Sequence, residues 1–405
     1  MPSSISNSEF ENQYQTLDSG SELKVRGKTF LAGLLMFVVV TGLYSYLTRF
    51  APINDRALAL IQQLPNVASA YPEHKKVMVF GTSMVQAGFE PYQFDTYFEQ
   101  RDMDVVSYNY GVGNLNPEFQ QYLTAHIRRE MQAADASLDL VLLEFNPFQT
   151  TKAREVIGAY TRDQNEAELR TVRELWETTL EDPDRGIRLF NIRYLRNGLS
   201  AELLTSALFL LNAGLPEVND AYREASLNRS EMASAFFESA PMARNFFGAV
   251  WHEDLRGGRI DKRVLPDEAL DALQLWADSF RNETLMEFDL QRRVVQGDIL
   301  ELDFADHLVK AFINMVRDLD AVSDNMEVIL LPRNTDWVDY TPEVQARLDA
   351  LMQRITDETG VAVRNFQTHP EIGPEMFVDT THLSFANGID TFTRVLAESY
   401  EPVLR

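Results

Sequence analysis

Three apolar runs rich in β-formers, KKVMVFG (Lys75 to Gly81), DVVSYNYG (Asp104 to Gly111) and LDLVLLEFN (Leu138 to Asn146), follow one another with helical stretches between them. The stretch PEFQQYLTAHIRREMQ, which separates the second run from the third, is amphipathic at helical spacing. Strand, helix and strand at such intervals predict a parallel sheet whose strands are joined by crossover helices. The pattern resumes with MEVILLP, Met326 to Pro332. A helix is predicted next, with Thr341 as its cap, Pro342 at its first position, Val344, Leu348, Leu351 and Ile355 on one face, and Gly360 just past its end. The run VAVRNF (Val361 to Phe366) and a last helix through Phe392, Val395 and Leu396 complete the series. The expectation is an α/β fold, a three-layer α/β/α plan interrupted between about 150 and 310.

The interruption reads as mainly helical, punctuated by loop chemistry at Asp182-Pro183-Asp184, Asn212 to Pro216, Pro241 and Gly257-Gly258. Two of its pieces are unusually apolar, Ser200 to Pro216 and Ser234 to Trp251. Both are too short to span a bilayer. They read either as helices packed on the sheet or as the lining of an acyl or glycan groove, or a surface for a membrane partner.

A separate segment bears on location. Thr29 to Leu47 reads TFLAGLLMFVVVTGLYSYL, without a charge, and at ~1.5 Å per residue it nearly crosses a hydrocarbon layer of ~30 Å. The polar residues before it and the absence of a small-residue cleavage pattern favour an uncleaved anchor over a removable leader; a buried core helix is the alternative. Lys24, Arg26 and Lys28 precede it against Arg49 and Arg56 after it, which orients the N-terminus to the cytoplasm and the bulk of the chain outward. The expected organisation is a cytoplasmic tail (1–28), an anchor (29–48), a linker helix (49–74) and a domain from 75 to 405 carrying the insertion. A formal charge of −24 argues against nucleic acid as a partner. The absence of cysteine removes disulfides, thiolate metal sites and a cysteine nucleophile.

The first run leads straight into FGTSMVQAGF, placing Ser83 at the carboxyl end of a strand and just before a helix. That edge is where open α/β sheets bind ligands. A serine hydroxyl becomes a useful nucleophile when a histidine, itself held by a carboxylate, takes its proton. Asp379 and His382, in FVDTTHLSFANG after the last strand, supply that pair. The remaining histidines, His74, His126, His252, His307 and His369, show no metal-ligand spacing, and neither a phosphate-binding loop nor a dinucleotide fingerprint occurs. No cofactor or metal is implied. Acyl chemistry also needs donors to the oxyanion. The second run ends in NYGVGNLNP and the third in EFNPF, which offer the Gly113 amide and the Asn146 side chain, with a turn asparagine and a plain loop glycine as the alternatives.

The ordered set G-T-S at Ser83, N-Y-G-V-G-N at Asn109 to Asn114, F-N-P at Asn146 and D-T-T-H at Asp379 to His382 resembles the SGNH/GDSL hydrolase superfamily. The resemblance implies a flavodoxin-like α/β/α sheet, Ser83, His382 and Asp379 as catalytic residues, and an oxyanion hole from the amides of Ser83 and Gly113 with Asn146; Asn114 is the alternative to Gly113. Thr82 stands where the family has its G-D-S aspartate. The anchor and the helical insertion are similar to those of D-alanyl-lipoteichoic acid biosynthesis proteins and alginate or peptidoglycan O-acetylation proteins. That likeness implies a periplasmic or extracellular O-acyltransferase or esterase acting on an acylated envelope glycan or lipid, beside a membrane-bound O-acyltransferase. A lipase or thioesterase and a non-catalytic assembly protein are the other readings.

Overall fold

The computed structural model of the 405-residue chain describes residues 19–48, 55–113, 116–154, 163, 165–167, 169–195, 216–241, 262, 265–296 and 299–405. Five strands, β1 (Lys75–Gly81), β2 (Val105–Gly111), β3 (Leu140–Glu144), β4 (Met326–Leu330) and β5 (Ala362–Asn365), form one sheet in the order β2-β1-β3-β4-β5. Every neighbouring pair is parallel. The chain therefore winds one way from β1 to β2 and the other way from β3 onward, and the reversal lies between the carboxyl ends of β1 and β3. Crevices for ligands open at such a reversal.

The apolar character of the strands follows from burial on both faces. Met78 and Phe80 of β1, Val141 and Leu143 of β3, and Val328 and Leu330 of β4 enter one core. Val77, Val79, Leu140, Leu142 and Ile329, alternating with them, enter a second. Helices cover both cores, an arrangement compatible with three α/β/α layers. The first core is closed by α1 (Asp55–Ser69), α2 (Pro117–Ala133), α3 (Asp306–Asp320) and α4 (Pro342–Thr359), through residues such as Leu64, Phe119, Phe312 and Leu348. The second is closed by Pro91–Glu99 and Gly388–Leu404, through Phe94, Phe98, Phe392, Leu396 and Tyr400.

Local signals act as their chemistry requires. Thr341 accepts the Val344 N–H at 3.3 Å, and Gly360 ends α4 in the left-handed region at φ 76°, where a side chain would be strained. Among the described residues between β3 and β4 the longer regular elements are helices: Val172–Glu181, Pro183–Leu195, Pro216–Ser239, Asp267–Asp278 and Glu283–Gln296, before α3. Of the two apolar pieces, residues 200–215 and 242–251 lie outside the described residues. The start of the second piece packs inward, since Phe236 and Phe237 meet Leu273 and Trp276 of Asp267–Asp278, and Trp276 lies 4.9 Å from Phe385, just past His382.

At the N-terminus, Ser19–Thr48 is a single helix of 30 residues. Its described side chains, at 28–40, 42 and 43, are exposed and include Phe30, Leu31, Phe37 and Val38. Among the described residues no helix is long and apolar enough to cross a membrane; the side chains from 44 to 47, which complete the uncharged run, lie outside them.

Candidate active site

Parallel pairing sets the carboxyl ends of the strands on one edge. Gly81 lies opposite Gly111, and Phe80 opposite Leu143, so the segments after β1, β2 and β3 emerge side by side. Ser83 begins the short helix Ser83–Gly88, with Thr82 as its cap accepting the Met84 N–H at 3.2 Å. A first helical residue has no intrahelical acceptor for its own N–H. The helix lies so close to β2 that a Cβ on Gly111 would stand 2.1 Å from the Gln86 nitrogen. Asn109 pins it there. Its Nδ2 donates to Val85 O at 3.1 Å and Phe89 O at 2.8 Å, while its Oδ1 accepts the Gly111 N–H at 2.9 Å. The buried Arg56 donates to Gly111 O at 3.2 Å and to Asn109 O, fixing the strand end from behind.

Asp379 and His382 occupy a tight turn. Val378 N–H donates to His382 O at 2.9 Å, and Phe377 bridges Leu383. The Asp379 carboxylate organises the turn by accepting the amides of Thr381 at 2.8 Å and His382 at 2.7 Å on Oδ1. Its second oxygen, Oδ2, then faces His382 Nδ1 at 2.8 Å. Three-residue spacing is what lets one carboxylate cap its own turn and also hold the ring. The turn is anchored from outside by Asn334 Nδ2 on Asp379 O at 3.1 Å and by Arg281 Nε on Phe377 O at 2.7 Å.

The far imidazole nitrogen, His382 Nε2, lies 2.9 Å from Ser83 Oγ. The hydrogen-bond network places the imidazole proton on Nδ1, which donates to the Asp379 carboxylate, so Nε2 accepts from the serine hydroxyl. Residues 299 apart in sequence are thus joined at hydrogen-bond distance. Burial acts to raise the Asp379 carboxyl, but the facing imidazole and the two turn amides outweigh it and hold the group at about 2. Burial acts to lower the His382 imidazole, and Asp379 outweighs that, so the ring titrates above its ordinary range. Both side chains keep some water contact, at 44% and 29% exposure, so solvent screens part of this coupling.

A third layer of polar contacts lies beneath the serine. Glu144, at the last position of β3 and only 2% exposed, accepts the Thr82 N–H at 2.6 Å on Oε2 and the Thr82 hydroxyl at 3.0 Å on Oε1. The Thr82 Oγ1 in turn accepts Asn146 Nδ2 at 3.1 Å. Burial pushes the Glu144 carboxyl up, and the Thr82 and Asn146 bonds only partly offset it, leaving it at about 7. The other end of Asn146, Oδ1, accepts Phe148 N–H at 3.0 Å and caps the turn Pro147–Thr150. Asn146 is therefore a turn asparagine and also directs its amide nitrogen to the residue before Ser83. Gly113 comes close as well, since a Cβ there would stand 3.5 Å from Ser83 Cβ. Its N–H donates to Gln86 Oε1 at 3.1 Å. Asn114 lies outside the described residues.

Ser83, Asn146, Asp379 and His382 line one cleft of about 340 Å³, with Phe148, Phe280, Leu285 and Met286 as its apolar wall. A hydroxyl, a base held by a carboxylate, and nearby amide donors in an open cleft can carry acyl transfer through a serine ester. Among the described residues no group of three His, Asp or Glu side chains is placed to hold a metal.

The sequence reading leaves Glu144, Asn109 and Gln86 unassigned. A signal for the first exists in hindsight, a carboxylate ending an otherwise apolar parallel strand, LVLLE. For Gln86, helical spacing from Ser83 is the sole sequence-level cue. No family model matches the chain, and no curated protein matches it.

Proposed function

We propose that the chain is a serine-dependent acyl-ester enzyme of the SGNH/GDSL kind, an O-acyltransferase or esterase, anchored by one N-terminal helix and working on acyl groups of a cell-envelope polymer outside the cytoplasm. The single observation that carries this reading is the relay of Ser83 Oγ, His382 and Asp379, with contacts of 2.9 and 2.8 Å inside an open cleft. The strand order and the two cores support a flavodoxin-like α/β/α sheet as its frame. The division into tail (1–28), anchor (29–48), linker helix (49–74) and catalytic domain with an insertion belongs to the same reading. The uncharged run Thr29 to Leu47 and the long helix that contains it support the anchor.

In this mechanism His382 takes the Ser83 proton on Nε2 as Oγ attacks the acyl carbonyl, while Asp379 holds the ring and balances the imidazolium charge. The amides of Ser83 and Gly113 and the Asn146 side chain stabilise the oxyanion. Gln86 has to release the Gly113 amide for that amide to take part. The imidazolium then returns its proton to the leaving oxygen, and the acyl group rests on Ser83. Deacylation repeats the steps with water, giving an esterase, or with a sugar hydroxyl, giving a transferase. A membrane-bound O-acyltransferase is the partner expected for the transferase.

The apolar wall of Phe148, Phe280, Leu285 and Met286 favours a second reading, a lipase or thioesterase on lipid-like esters. Turnover of p-nitrophenyl acetate and of the corresponding palmitate by the full chain, with Ser83→Ala as control, separates the two. Acetate turnover that disappears in Ser83→Ala supports the envelope-acyl reading; preference for palmitate supports the lipase. Turnover of either ester that persists in Ser83→Ala refutes both.

A further inference from the structure

The relay uses Ser83, His382 and Asp379 but not the carboxylate buried beneath them. Glu144 ends β3, and the room it occupies is made by Gly81, the last residue of β1: a Cβ on Gly81 would stand 2.3 Å from Glu144 Oε2 and 2.7 Å from Glu144 Cβ. Burying a carboxylate is costly unless strong donors meet it. Thr82 supplies two, its N–H to Oε2 at 2.6 Å and its hydroxyl to Oε1 at 3.0 Å. Two donors need two acceptor oxygens, which a carboxylate has and a side-chain amide lacks. An amide at this position would either turn a donor toward the Thr82 oxygen or leave the Thr82 N–H without an acceptor.

The consequence runs through the threonine to Asn146. A hydroxyl has one proton and two lone pairs. With the proton on Glu144, one lone pair takes the Met84 N–H at 3.2 Å and the other takes Asn146 Nδ2 at 3.1 Å. The far end of the same amide is also fixed, since Oδ1 accepts the N–H groups of Phe148 at 3.0 Å and Gln149 at 3.4 Å; these bonds identify which end is nitrogen. One Nδ2 hydrogen therefore has an oxygen acceptor. The second has only Met84 Sδ, at 3.4 Å. Thioether sulfur is a weak acceptor, and Met84 and Asn146 line the same cleft as Ser83. An anionic oxygen arriving there takes that hydrogen from sulfur, because a charged acceptor forms the stronger bond.

We propose that Glu144 and Thr82 are positioning residues for Asn146: the carboxylate takes both Thr82 donors, the hydroxyl oxygen holds one Nδ2 hydrogen, and the other is left for the oxyanion of the acyl step. This deepens the serine acyl-ester reading and rests on it. Neither residue touches the reacting atoms. Their effect passes through Asn146, whose donor matters only once charge develops on the substrate oxygen, so it falls on kcat and spares KM.

The test is steady-state hydrolysis of p-nitrophenyl acetate by the full chain in neutral detergent. Thr82→Val keeps the shape and removes the hydroxyl; kcat should fall about tenfold or more with KM held within about twofold, and Thr82→Ser should recover most of the loss. Asn146→Ala should lower kcat by about 10²–10³, and adding Thr82→Val to it should cost little more, because the two residues act as one unit. An unchanged kcat in Thr82→Val overturns the proposal, as does the same loss from Thr82→Val with and without Asn146. Glu144→Gln should show the same split between kcat and KM, and it serves if Thr82→Val does not fold. Wild-type kcat in Asn146→Ala, with turnover still abolished by Ser83→Ala, sinks the positioning role and leaves the serine enzyme standing. Turnover that survives Ser83→Ala, or no turnover by wild type, sinks the serine reading and the positioning role with it.

Discussion

Replacing Glu144 by glutamine tests how the site is supported from below. Glu144 is buried, receives two donors from Thr82, and is held at about 7 against an ordinary value of 4.5. Because the folded-state value lies above the unfolded one, the folded chain binds the proton more tightly. The stabilisation from that proton is complete below pH 4.5 and is lost as pH rises toward 7. At 1.36 kcal/mol per unit, the loss between pH 5 and pH 8 is about 2 to 3 kcal/mol. A glutamine keeps an acceptor for Thr82 and does not titrate. Urea unfolding of both proteins at pH 5 and pH 8 gives the difference in which other titrating groups largely cancel. The expected result is that wild type loses about 2 to 3 kcal/mol more than Glu144→Gln over this interval. An identical pH dependence in the two would mean that Glu144 is ionised throughout, and the reasoning from burial would fail.

Three further outcomes follow from the geometry. In Asp379→Asn the amide that faces His382 Nδ1 must donate, which moves the ring proton to Nε2 and points a donor at Ser83; turnover of an acyl ester should fall by about 10⁴ with an unchanged thermal midpoint within a few degrees, measured by steady-state kinetics and melting. The pH profile of wild-type kcat/KM should rise with pH through an apparent value above 6.5, because the base must be neutral and Asp379 raises it; a midpoint below 6.5 would contradict the coupling. Gly111→Ala drives a Cβ to 2.1 Å from the Gln86 backbone and should cost about 1–3 kcal/mol or more and displace Ser83, whereas Gly113→Ala meets nothing nearer than 3.5 Å among the described residues and should melt like wild type.

The readable part of this chain is what local chemistry encodes. The five strand runs, the Thr341 cap and the Gly360 stop depend on neighbours a few residues away, and each appears close to where its pattern puts it. Asp379 and His382 were legible for the same reason, since the carboxylate caps the very turn that carries the histidine. Their meeting with Ser83 follows from parallel topology, which places every strand's carboxyl end on one edge. Glu144 was opaque because its role arises only when β3 lies beside β1 and its side chain meets Thr82. Gln86 on Gly113 depends on a close approach of helix to strand that no spacing announces.

The relay itself is tested most directly by reacting the full chain with a fluorophosphonate and locating the adduct by peptide mass spectrometry, in wild type and in His382→Ala. A hydroxyl lying 2.9 Å from a carboxylate-held imidazole should give a single adduct on Ser83, and the variant should lose nearly all of it. Labelling of Ser83 to the same extent without His382, or an adduct on a different serine, would contradict the account.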